Sequence, residues 1–421
     1  VATCTCGVVR YARFRSHPHP YVGLSVKLVF AVDAIFPPLT GIGRYALELA
    51  MRLPSVGEID DVRFLAMWSW AGSVASGPAS SNGQKGDGRA VSDLASPAWL
   101  SAIRRHMAMK TWAVEVYDVV SEAWRSQLLR GAQGALYHSP NYFLAPHDGP
   151  SVATVHDLSI TRYPQTHPAA RRRYFELAFR RSLDRASMLI TDTEAVRQEL
   201  VADYGVAPEK VRAIHLGVSE HFGPIPPEAT AGVLQARGLK HGGYALSVAT
   251  LEPRKKLDRL IAAYGLLPVA VRTAYPLVLI GSMGWLNSPL QRLIEQAQSQ
   301  GWLRFLGYVS QDELPVLYAG ARAYAMTSMY EGFGLPVLEA MASGVPVLTS
   351  SVSCMPEVAG GAALMAHPDD LDELQAQLHR LLTDETWRSQ AVPLGLARAQ
   401  QLTWDRCVAE TVAVYRQVAG E

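Results

Sequence analysis

The sequence has few cysteines, no long apolar run and almost no net charge, and each absence excludes a class of protein. The four cysteines (Cys4, Cys6, Cys354 and Cys407) have neither the spacing of a disulfide framework nor that of metal ligands, so a reduced, cytoplasmic setting is expected. No apolar run approaches the roughly 20 residues that span a bilayer. The net charge is only +1, so no global field favours nucleic acid or a strongly acidic partner.

The beginning of the chain also lacks features of a known targeting segment. Residues 1–25 contain arginines but no acidic side chain, and they have no apolar centre of the kind found in a secretory signal. We interpret 1–25 as a disordered leader, or as an N-terminus extended beyond the real start.

The chain contains enough apolar residues for sizeable cores, since 49% of its 421 residues are hydrophobic. Patterns typical of strands and helices alternate in both halves, which predicts two doubly wound parallel sheets. Between the halves, residues 217–243 are punctuated by prolines and glycines, and we interpret them as a domain linker. Among the predicted elements are a strand over 62–68 and a helix near 45–53.

The segment EGFGLPVLEAMASG, which begins at Glu331, carries the most specific signal. It follows a predicted buried strand. Gly332 and Gly334 remove side-chain bulk where the free N–H groups of the next helix point, and Pro336 suits the first turn of that helix. This arrangement binds anions, usually phosphate. Glu331 and Glu339 would then accept hydrogen bonds from hydroxyl groups, and a ligand with central phosphates and hydroxyls at both ends is a nucleotide sugar.

This segment resembles the signature of the retaining glycosyltransferases of family four, which have the GT-B fold. The runs 345–350 and 355–360 also fit that family, and the resemblance covers about 27–416. It implies that Glu331 contacts the donor sugar and Glu339 the ribose. The donor-binding set that the resemblance implies is Gly41, Gly43, Tyr308, Val309, Gly332, Phe333, Gly334, Leu335 and Glu339.

The resemblance also implies the fold and its division. The expected class is α/β GT-B, in which two Rossmann-like doubly wound domains face a central cleft. The predicted N-terminal, acceptor-side domain spans 26–225 and the nucleotide-sugar-binding domain spans 226–402. A final helix over 403–421 is expected to cross back to the first domain.

A basic motif follows the first predicted strand of the second domain. Arg254 and Lys255 match the family pattern, and cations at the carboxyl end of a strand can neutralise a diphosphate. Charge grows on a departing diphosphate in the transition state, so these contacts would speed the reaction as well as bind the donor. Lys256 replaces the asparagine common in the family. A solvated basic turn is the alternative.

The run GIGRYA, which begins at Gly41, has the form G-x-G-x-x-A. A dehydrogenase would place the first glycine directly after the strand, whereas here a loop with two prolines intervenes. The motif fits better the glycine loop of a glycosyltransferase first domain, where backbone N–H groups of Gly41 and Gly43 would face the donor phosphate. An ordinary loop-to-helix turn is the alternative.

His156 and Asp157 end a predicted strand of the first domain. A lone histidine is more often structural than catalytic, but this one lies at the carboxyl end that faces the predicted cleft. The resemblance places it near the anomeric centre. We therefore assign His156 to sugar binding and, through its backbone carbonyl, to stabilising positive charge as the glycosidic bond breaks. Asp157 as a nucleophile or a base is a further hypothesis.

Two other features carry weaker signals. Tyr308 and Val309 lie in a turn that, in the family, is beside the nucleobase, although it could be simply a tight turn. The predicted helix over 168–186 carries six arginines against two acids, and basic amphipathic helices can lie on anionic membranes. A solvated helix with an apolar core stripe is the alternative to peripheral contact with the cytoplasmic membrane.

Together these residues predict transfer of a sugar from a nucleoside diphosphate to a hydroxyl acceptor, with retention at the anomeric carbon. The whole pattern most resembles bacterial mannosyltransferases of O-antigen or exopolysaccharide assembly, which favours GDP-mannose as donor and a glycan or lipid-linked glycan as acceptor. The alternatives are a UDP- or dTDP-sugar donor, another GT-B enzyme such as an epimerase or phosphorylase, a non-catalytic nucleotide-sugar-binding subunit, and a dehydrogenase. Neither a catalytic metal nor a cofactor is expected.

Overall fold

A computed structural model describes residues 26–36, 39–72, 111–282 and 288–420. The proposed leader over 1–25 lies outside these described residues. Two β-sheets organise the chain, and the first has seven strands in the order β3-β2-β1-β4-β5-β6-β7. These strands are β1 (Val26–Ala31), β2 (Ile59–Leu65), β3 (Trp70–Ala71), β4 (Leu136–Ser139), β5 (Ser151–Val155), β6 (Met188–Thr191) and β7 (Val211–Ala213). All neighbours are parallel except β2 and β3.

The second sheet has six parallel strands in the order β10-β9-β8-β11-β12-β13. They are β8 (Ala245–Val248), β9 (Leu277–Ile280), β10 (Leu303–Phe305), β11 (Ala323–Met326), β12 (Val347–Ser350) and β13 (Leu364–Ala366). Central strands such as β9 and β11 are buried along their whole length because helices cover both faces of the sheet. The predicted pair of doubly wound Rossmann-like sheets is therefore confirmed.

Helices connect the strands of each sheet. The first domain contains α1 (Gly41–Arg52), α2 (Thr111–Leu129), α3 (Ser159–Arg162), α4 (Ala169–Arg185) and α5 (Glu194–Tyr204). The remainder of the chain contains α6 (Pro227–Ala236), α7 (Leu257–Gly265), α8 (Val269–Ala274), α9 (Ser288–Ser299), α10 (Leu314–Ala319), α11 (Leu335–Ala342), α12 (Met355–Ala359), α13 (Leu371–Thr383), α14 (Glu385–Gln401) and α15 (Trp404–Ala419). No helix in the described stretches is long and apolar enough to cross a membrane.

Two predicted element boundaries were wrong, and the interpreted linker contains a helix that was not predicted. The first helix begins at Gly41 rather than near residue 45, because the Thr40 hydroxyl accepts a hydrogen bond from Gly43 N at 3.2 Å and caps the helix there. The second strand runs over Ile59–Leu65 instead of 62–68. The predicted linker contains α6, since Pro227 suits the first turn of a helix as well as a loop.

Two segments that are distant in sequence run side by side where the two domains join. Val218 N donates to Leu402 O at 3.1 Å, and Val218 forms an isolated parallel bridge with Thr403. A Cβ added at Gly217 would lie 2.0 Å from Trp404 N, so the two passing segments are in direct backbone contact. Beyond this crossing, α15 packs on α1, β1 and β6 of the first domain.

Candidate functional site

The loop between β11 and α11 forms the centre of the candidate site. Gly334 adopts a φ of 96°, a left-handed conformation that glycine accepts readily, and α11 begins at the next residue. Glu331 is only 7% exposed. Its backbone is fixed by hydrogen bonds, in which Ser353 Oγ donates to Glu331 O at 2.8 Å and Cys354 Sγ donates to the same oxygen at 3.1 Å. Phe333 is also buried.

The structure brings the predicted phosphate-binding cations onto Glu331. Lys255 Nζ lies 2.5 Å from Glu331 Oε1, and Arg254 Nη1 lies 3.2 Å from Oε2. Arg254 also donates to Tyr330 O at 2.9 Å and pairs with Glu252 at 3.1 Å. Burial acts to raise the pKa of Glu331, but Lys255 and Arg254 outweigh it and hold that pKa below its ordinary value. Burial and the neighbouring Arg254 charge lower the pKa of Lys255. The result is a mostly buried cluster of one carboxylate and two basic side chains that can exchange partners with an anionic ligand.

Sequence reasoning missed Glu252, which pairs with Arg254. Glu252 lies two positions before Arg254, and only its negative charge could have indicated that it is a second partner for this arginine. Lys256 adopts a φ of 51° and its side chain pairs with Asp369 at 2.8 Å. It therefore takes part in a different ion pair from the one that holds Glu331.

His156 directly follows β5, and both nitrogens of its imidazole lie within hydrogen-bond distance of protein oxygen atoms. Its Nδ1 is 2.8 Å from Asp192 Oδ2, and its Nε2 is 2.8 Å from Pro140 O. Since the Pro140 carbonyl can only accept, Nε2 donates to it, and Nδ1 faces the Asp192 carboxyl group, whose own pKa is raised by burial. Burial acts to lower the pKa of His156, but the Asp192 carboxylate outweighs burial and raises it. Asp192 was missed; its signal was the polar run Thr191-Asp192-Thr193 at the carboxyl end of β6.

The backbone carbonyl of His156 faces the Glu331 loop. A Cβ added at Gly332 would lie only 1.9 Å from His156 O, so the two backbones are in contact across the cleft. Thr193 Oγ1 also donates to Gly332 O at 3.0 Å. The absence of a side chain at Gly332 is therefore what lets the two domains approach here.

Asp157 is held by donors from its own domain. Its Oδ1 accepts from Ser159 N at 3.0 Å, from Ser159 Oγ at 2.8 Å and from Tyr142 OH at 3.2 Å. Burial acts to raise the pKa of Asp157, but the charge of Arg254 and the Ser159 hydrogen bonds lower it below its ordinary value. A carboxylate with a lowered pKa is a weak base, which disfavours the base alternative more than the nucleophile alternative.

The glycine motif of the first domain faces α11. A Cβ at Gly41 would lie 3.9 Å from Leu335 Cδ1, so α1 and α11 begin close to each other on opposite sides of the cleft. Gly43 is packed more tightly, because a Cβ there would lie 2.7 Å from Ala34 O. Two helix N-termini in one cleft direct the positive ends of their dipoles into the same space, which favours an anion.

Glu339 lies in α11 and is 7% exposed. Burial raises its pKa, although Arg44 of α1 and the Tyr318 hydroxyl act in the opposite direction. Arg44 also hydrogen-bonds the side chain of Gln311, so it connects the two domains beside Glu339. The structure thus places Glu339 in the same cleft as Gly41.

The two predicted ligand residues in the turn after β10 differ in exposure. Tyr308 is 59% exposed, whereas Val309 is 4% exposed and belongs to the core. Gly307 before them has a φ of 66°, which turns the chain. Only Tyr308 presents its side chain to the surface, so any contact from Val309 would have to come from its backbone.

Comparison with known proteins decides the family. Residues 39–222 match the family model described as Glycosyltransferase Family 4, and residues 237–393 match the one described as Glycosyl transferases group 1. The chain is 38% identical over 391 residues to the O-antigen chain mannosyltransferase B of Escherichia coli, covering 93% of this chain and 100% of that protein. This chain belongs to the family 4 glycosyltransferases.

Other similar proteins agree with this assignment. The chain is 32% identical over 228 residues to the serotype-specific mannosyltransferase WbdA of Escherichia coli, covering 52% of this glycosyltransferase and 28% of that protein. The solved structure of WaaG, a glycosyltransferase involved in lipopolysaccharide biosynthesis, superposes with a TM-score of 0.68 at 17% identity. That alignment covers 94% of this chain and all of WaaG (100%). The GT-B fold is therefore confirmed, whereas the roles of the individual site residues stay predictions.

A second contact between the domains of this glycosyltransferase lies beside the site. Glu357 of α12 accepts hydrogen bonds from Glu194 N at 2.8 Å and from Ala195 N at 3.0 Å, at the N-terminus of α5. His215 Nε2 lies 2.6 Å from the same carboxylate. One domain thus caps a helix of the other, which stabilises the approach of the two domains.

We expect Glu357→Gln to lower the free energy of unfolding by about 1–2 kcal/mol at pH 7, because it weakens a charged helix cap. Burial acts to raise the pKa of Glu357, but His215 and the two backbone donors lower it below the ordinary 4.5. A lowered folded-state pKa gives stability that is present above pH 4.5 and lost as the pH falls through the folded value. The difference between wild type and variant, measured by urea unfolding across pH, should therefore shrink below pH 4.5; a constant difference would contradict this account.

Proposed function

We propose that this glycosyltransferase is a retaining mannosyltransferase that moves mannose from GDP-mannose to a hydroxyl of a glycan or lipid-linked glycan during synthesis of a cell-surface polysaccharide. The observation that carries the proposal is the cluster of Glu331, Arg254 and Lys255 opposite the carbonyl of His156. The names of its relatives support the choice of mannose, since they include mannosyltransferases of Escherichia coli.

The proposed reaction uses an exchange of ionic partners. An entering diphosphate would take Arg254 and Lys255 from Glu331, which frees the carboxylate to accept hydrogen bonds from the sugar hydroxyls. The bond between the anomeric carbon and the phosphate oxygen breaks, and its electron pair leaves with the diphosphate. The acceptor oxygen then bonds to the same face of that carbon, and its proton passes to the leaving phosphate. The His156 carbonyl would stabilise the positive charge on the sugar meanwhile.

Metal independence is part of this proposal. Two buried cations and two helix N-termini in the cleft supply positive charge where the leaving group becomes negative. An Asp-x-Asp sequence does occur at Asp370–Asp372, but Asp370 Oδ1 accepts a hydrogen bond from Glu373 N at 2.9 Å and caps α13. We assign that sequence to helix capping. A transfer assay in excess chelator should give the same rate as one with added Mg²⁺ or Mn²⁺.

A thermal-shift screen with GDP, UDP, dTDP and their sugar conjugates tests the donor. A ligand that binds only the folded state at a hundredfold excess over its Kd adds about 2.7 kcal/mol of stability, so we expect a clear rise in Tm with GDP and GDP-mannose alone. A shift with UDP or dTDP compounds instead would retain the glycosyltransferase and discard mannose. Absence of a shift with every nucleotide, together with absence of donor hydrolysis, would favour the non-catalytic subunit.

Peripheral contact with the cytoplasmic membrane and a cytoplasmic location stay predictions. Several arginines of α4 are bound within the protein: Arg173 pairs with Glu115 at 2.7 Å, Arg181 with Asp118 at 2.6 Å, and Arg180 donates to Tyr204 O at 3.0 Å. Less of the helix charge is therefore available to an anionic surface than the sequence indicates. Flotation with anionic and neutral vesicles would measure what remains.

A further inference from the structure

Four buried side chains near His156 form a continuous series of hydrogen bonds. The hydroxyl of Tyr415 lies 2.5 Å from His138 Nδ1, and His138 Nε2 lies 2.9 Å from Thr154 Oγ1. The hydroxyl of Tyr45 lies 3.0 Å from the same Thr154 oxygen. We call these four residues the buried network. Each is at most 1% exposed, so their polar atoms depend on one another rather than on bulk solvent.

The buried network joins the second domain to the first. Tyr415 lies on α15, whereas the other three members lie on β4, β5 and α1 of the first domain. The preceding helix, α14, packs on α11, since a Cβ added at Gly395 of α14 would lie 3.4 Å from Met341 Cγ of α11. Because α11 begins at the end of the Glu331 loop, one packed path leads from that loop to the buried network.

His138 makes the buried network sensitive to the loss of a single hydroxyl group. Burial lowers the pKa of His138 to about 3, and the nearby His156 acts in the same direction, so the His138 ring is neutral near pH 7. A neutral imidazole has one N–H donor and one acceptor nitrogen, so one neighbouring hydroxyl donates to the ring and the other accepts from it. Removal of either hydroxyl would leave a buried ring nitrogen without this partner, which is unfavourable.

Two members of the buried network act on the position of His156. Thr154 lies two positions before His156 at the end of β5, and side chains two positions apart point to the same side of an extended strand. The ring of Tyr45 packs edge-to-face on the His156 imidazole with centroids 5.0 Å apart. The buried network therefore holds the end of β5, and with it the His156 backbone carbonyl that contacts Gly332.

We infer that the buried network positions the His156 carbonyl for sugar transfer. Tyr415, His138 and Tyr45 act through it as positioning residues. The inference rests on the proposed function, because it assumes that this carbonyl stabilises positive charge on the donor sugar. A group that acts on a transition state must be placed accurately, and a shift of about 1 Å can lower the rate by about 10²-fold. Binding of GDP depends on the network less than transfer does, since the predicted diphosphate cations lie in the second domain.

Tyr415→Phe tests the inference, because it removes one hydroxyl at the α15 end of the buried network. The kcat for GDP release from GDP-mannose should fall about tenfold, while the Kd for GDP in a calorimetric titration should change by less than about twofold. In NMR of protein labelled with ¹⁵N-histidine, the imidazole signals of His156 should shift; they are identified by their loss in His156→Gln. A shift at His156 reports its position, which a loss of stability alone would not change.

Tyr45→Phe removes the hydroxyl at the other end of the buried network and keeps the ring that packs on His156. It should lower kcat by a similar factor, and it provides the same test if Tyr415→Phe does not fold. Because both changes interrupt one network, the double variant should be slowed by less than the product of the two single effects. Effects that multiply would overturn the inference.

Val412→Ala is the matched control on α15. Val412 is 4% exposed in the same core as Tyr45 and Tyr415, but its side chain has no polar atom. The variant should therefore lower Tm at least as much as Tyr415→Phe, while kcat and the His156 signals stay as in wild type. Wild-type kcat in Tyr415→Phe, unshifted His156 signals, or an equal fall of kcat in Val412→Ala would overturn the inference. Absence of both GDP binding and GDP release in wild type would overturn the proposed function instead, and the His156 signals would still test the network.

Discussion

Glu331→Gln is expected to lower the rate of sugar transfer by about 10²–10³-fold while GDP binds about tenfold more tightly. Glu331 holds both Lys255 and Arg254, at 2.5 and 3.2 Å. Glutamine keeps the shape of the side chain but not the charge, so both cations become available to the diphosphate. The same change removes the carboxylate that would bind the donor sugar, and therefore binding and transfer should change in opposite directions.

The ligand-free variant should also be less stable. Removing one partner of a buried ion pair leaves its counter-charge uncompensated, which costs about 3 kcal/mol or more. GDP restores that compensation, so the rise in Tm with GDP should be larger in Glu331→Gln than in wild type. Single-turnover transfer and calorimetric titration with GDP measure the two effects independently.

Glu252→Gln is the control for the loss of a negative charge beside Arg254. Glu252 pairs with Arg254 at 3.1 Å, and Arg254 still contacts Glu331 and Tyr330 O in that variant. Its transfer rate should stay far closer to wild type than that of Glu331→Gln. Wild-type turnover by Glu331→Gln would contradict the assignment of this residue to the proposed site. Weaker GDP binding by the variant would contradict the proposed exchange of ionic partners.

Gly332→Ala should reduce transfer by about 10²-fold or more, because it pushes the two domains apart at the reacting centre. The added Cβ would lie 1.9 Å from His156 O and 3.0 Å from Asp157 Cβ, and no rotamer change can relieve a contact with backbone. The hydrogen bond from Thr193 Oγ1 to Gly332 O would be lost as well. GDP binding should weaken less than transfer, since Arg254 and Lys255 stay in place in the second domain although Gly332 belongs to the predicted donor-binding turn.

Solution scattering and steady-state kinetics of this variant test the expected separation of the domains. The scattering curve is expected to show a more open molecule, and the fall in kcat should be larger than any rise in the Kd for GDP. Gly232→Ala on α6 is the matched control, because nothing lies within 4 Å of the added Cβ. That change should leave transfer intact and stabilise the helix by about 0.4–1 kcal/mol. Normal kcat in Gly332→Ala would show that close approach of the domains here is not needed.

The sequence indicated the motifs of the site better than the boundaries of its elements. The Gly332–Gly334 turn, the cations and the strand ends were recognisable because each is a local pattern of residue types within a few positions. The start of α1 at Gly41 was missed since a side-chain cap from Thr40 decided it. The helix α6 was not predicted within the interpreted linker, because Pro227 and nearby glycines are common to helix starts and to loops.

By itself the sequence determined that two strand–helix alternations would form two sheets, and it predicted that Glu331, Arg254 and Lys255 belong to an anion-binding cleft. Only the tertiary structure decided their partners. Asp192 lies 36 positions from His156, and Glu357 lies 163 positions from the helix end at Glu194 that it caps. Pairings between residues so far apart follow from how sheets and domains pack, and packing leaves no periodic signal in a single sequence.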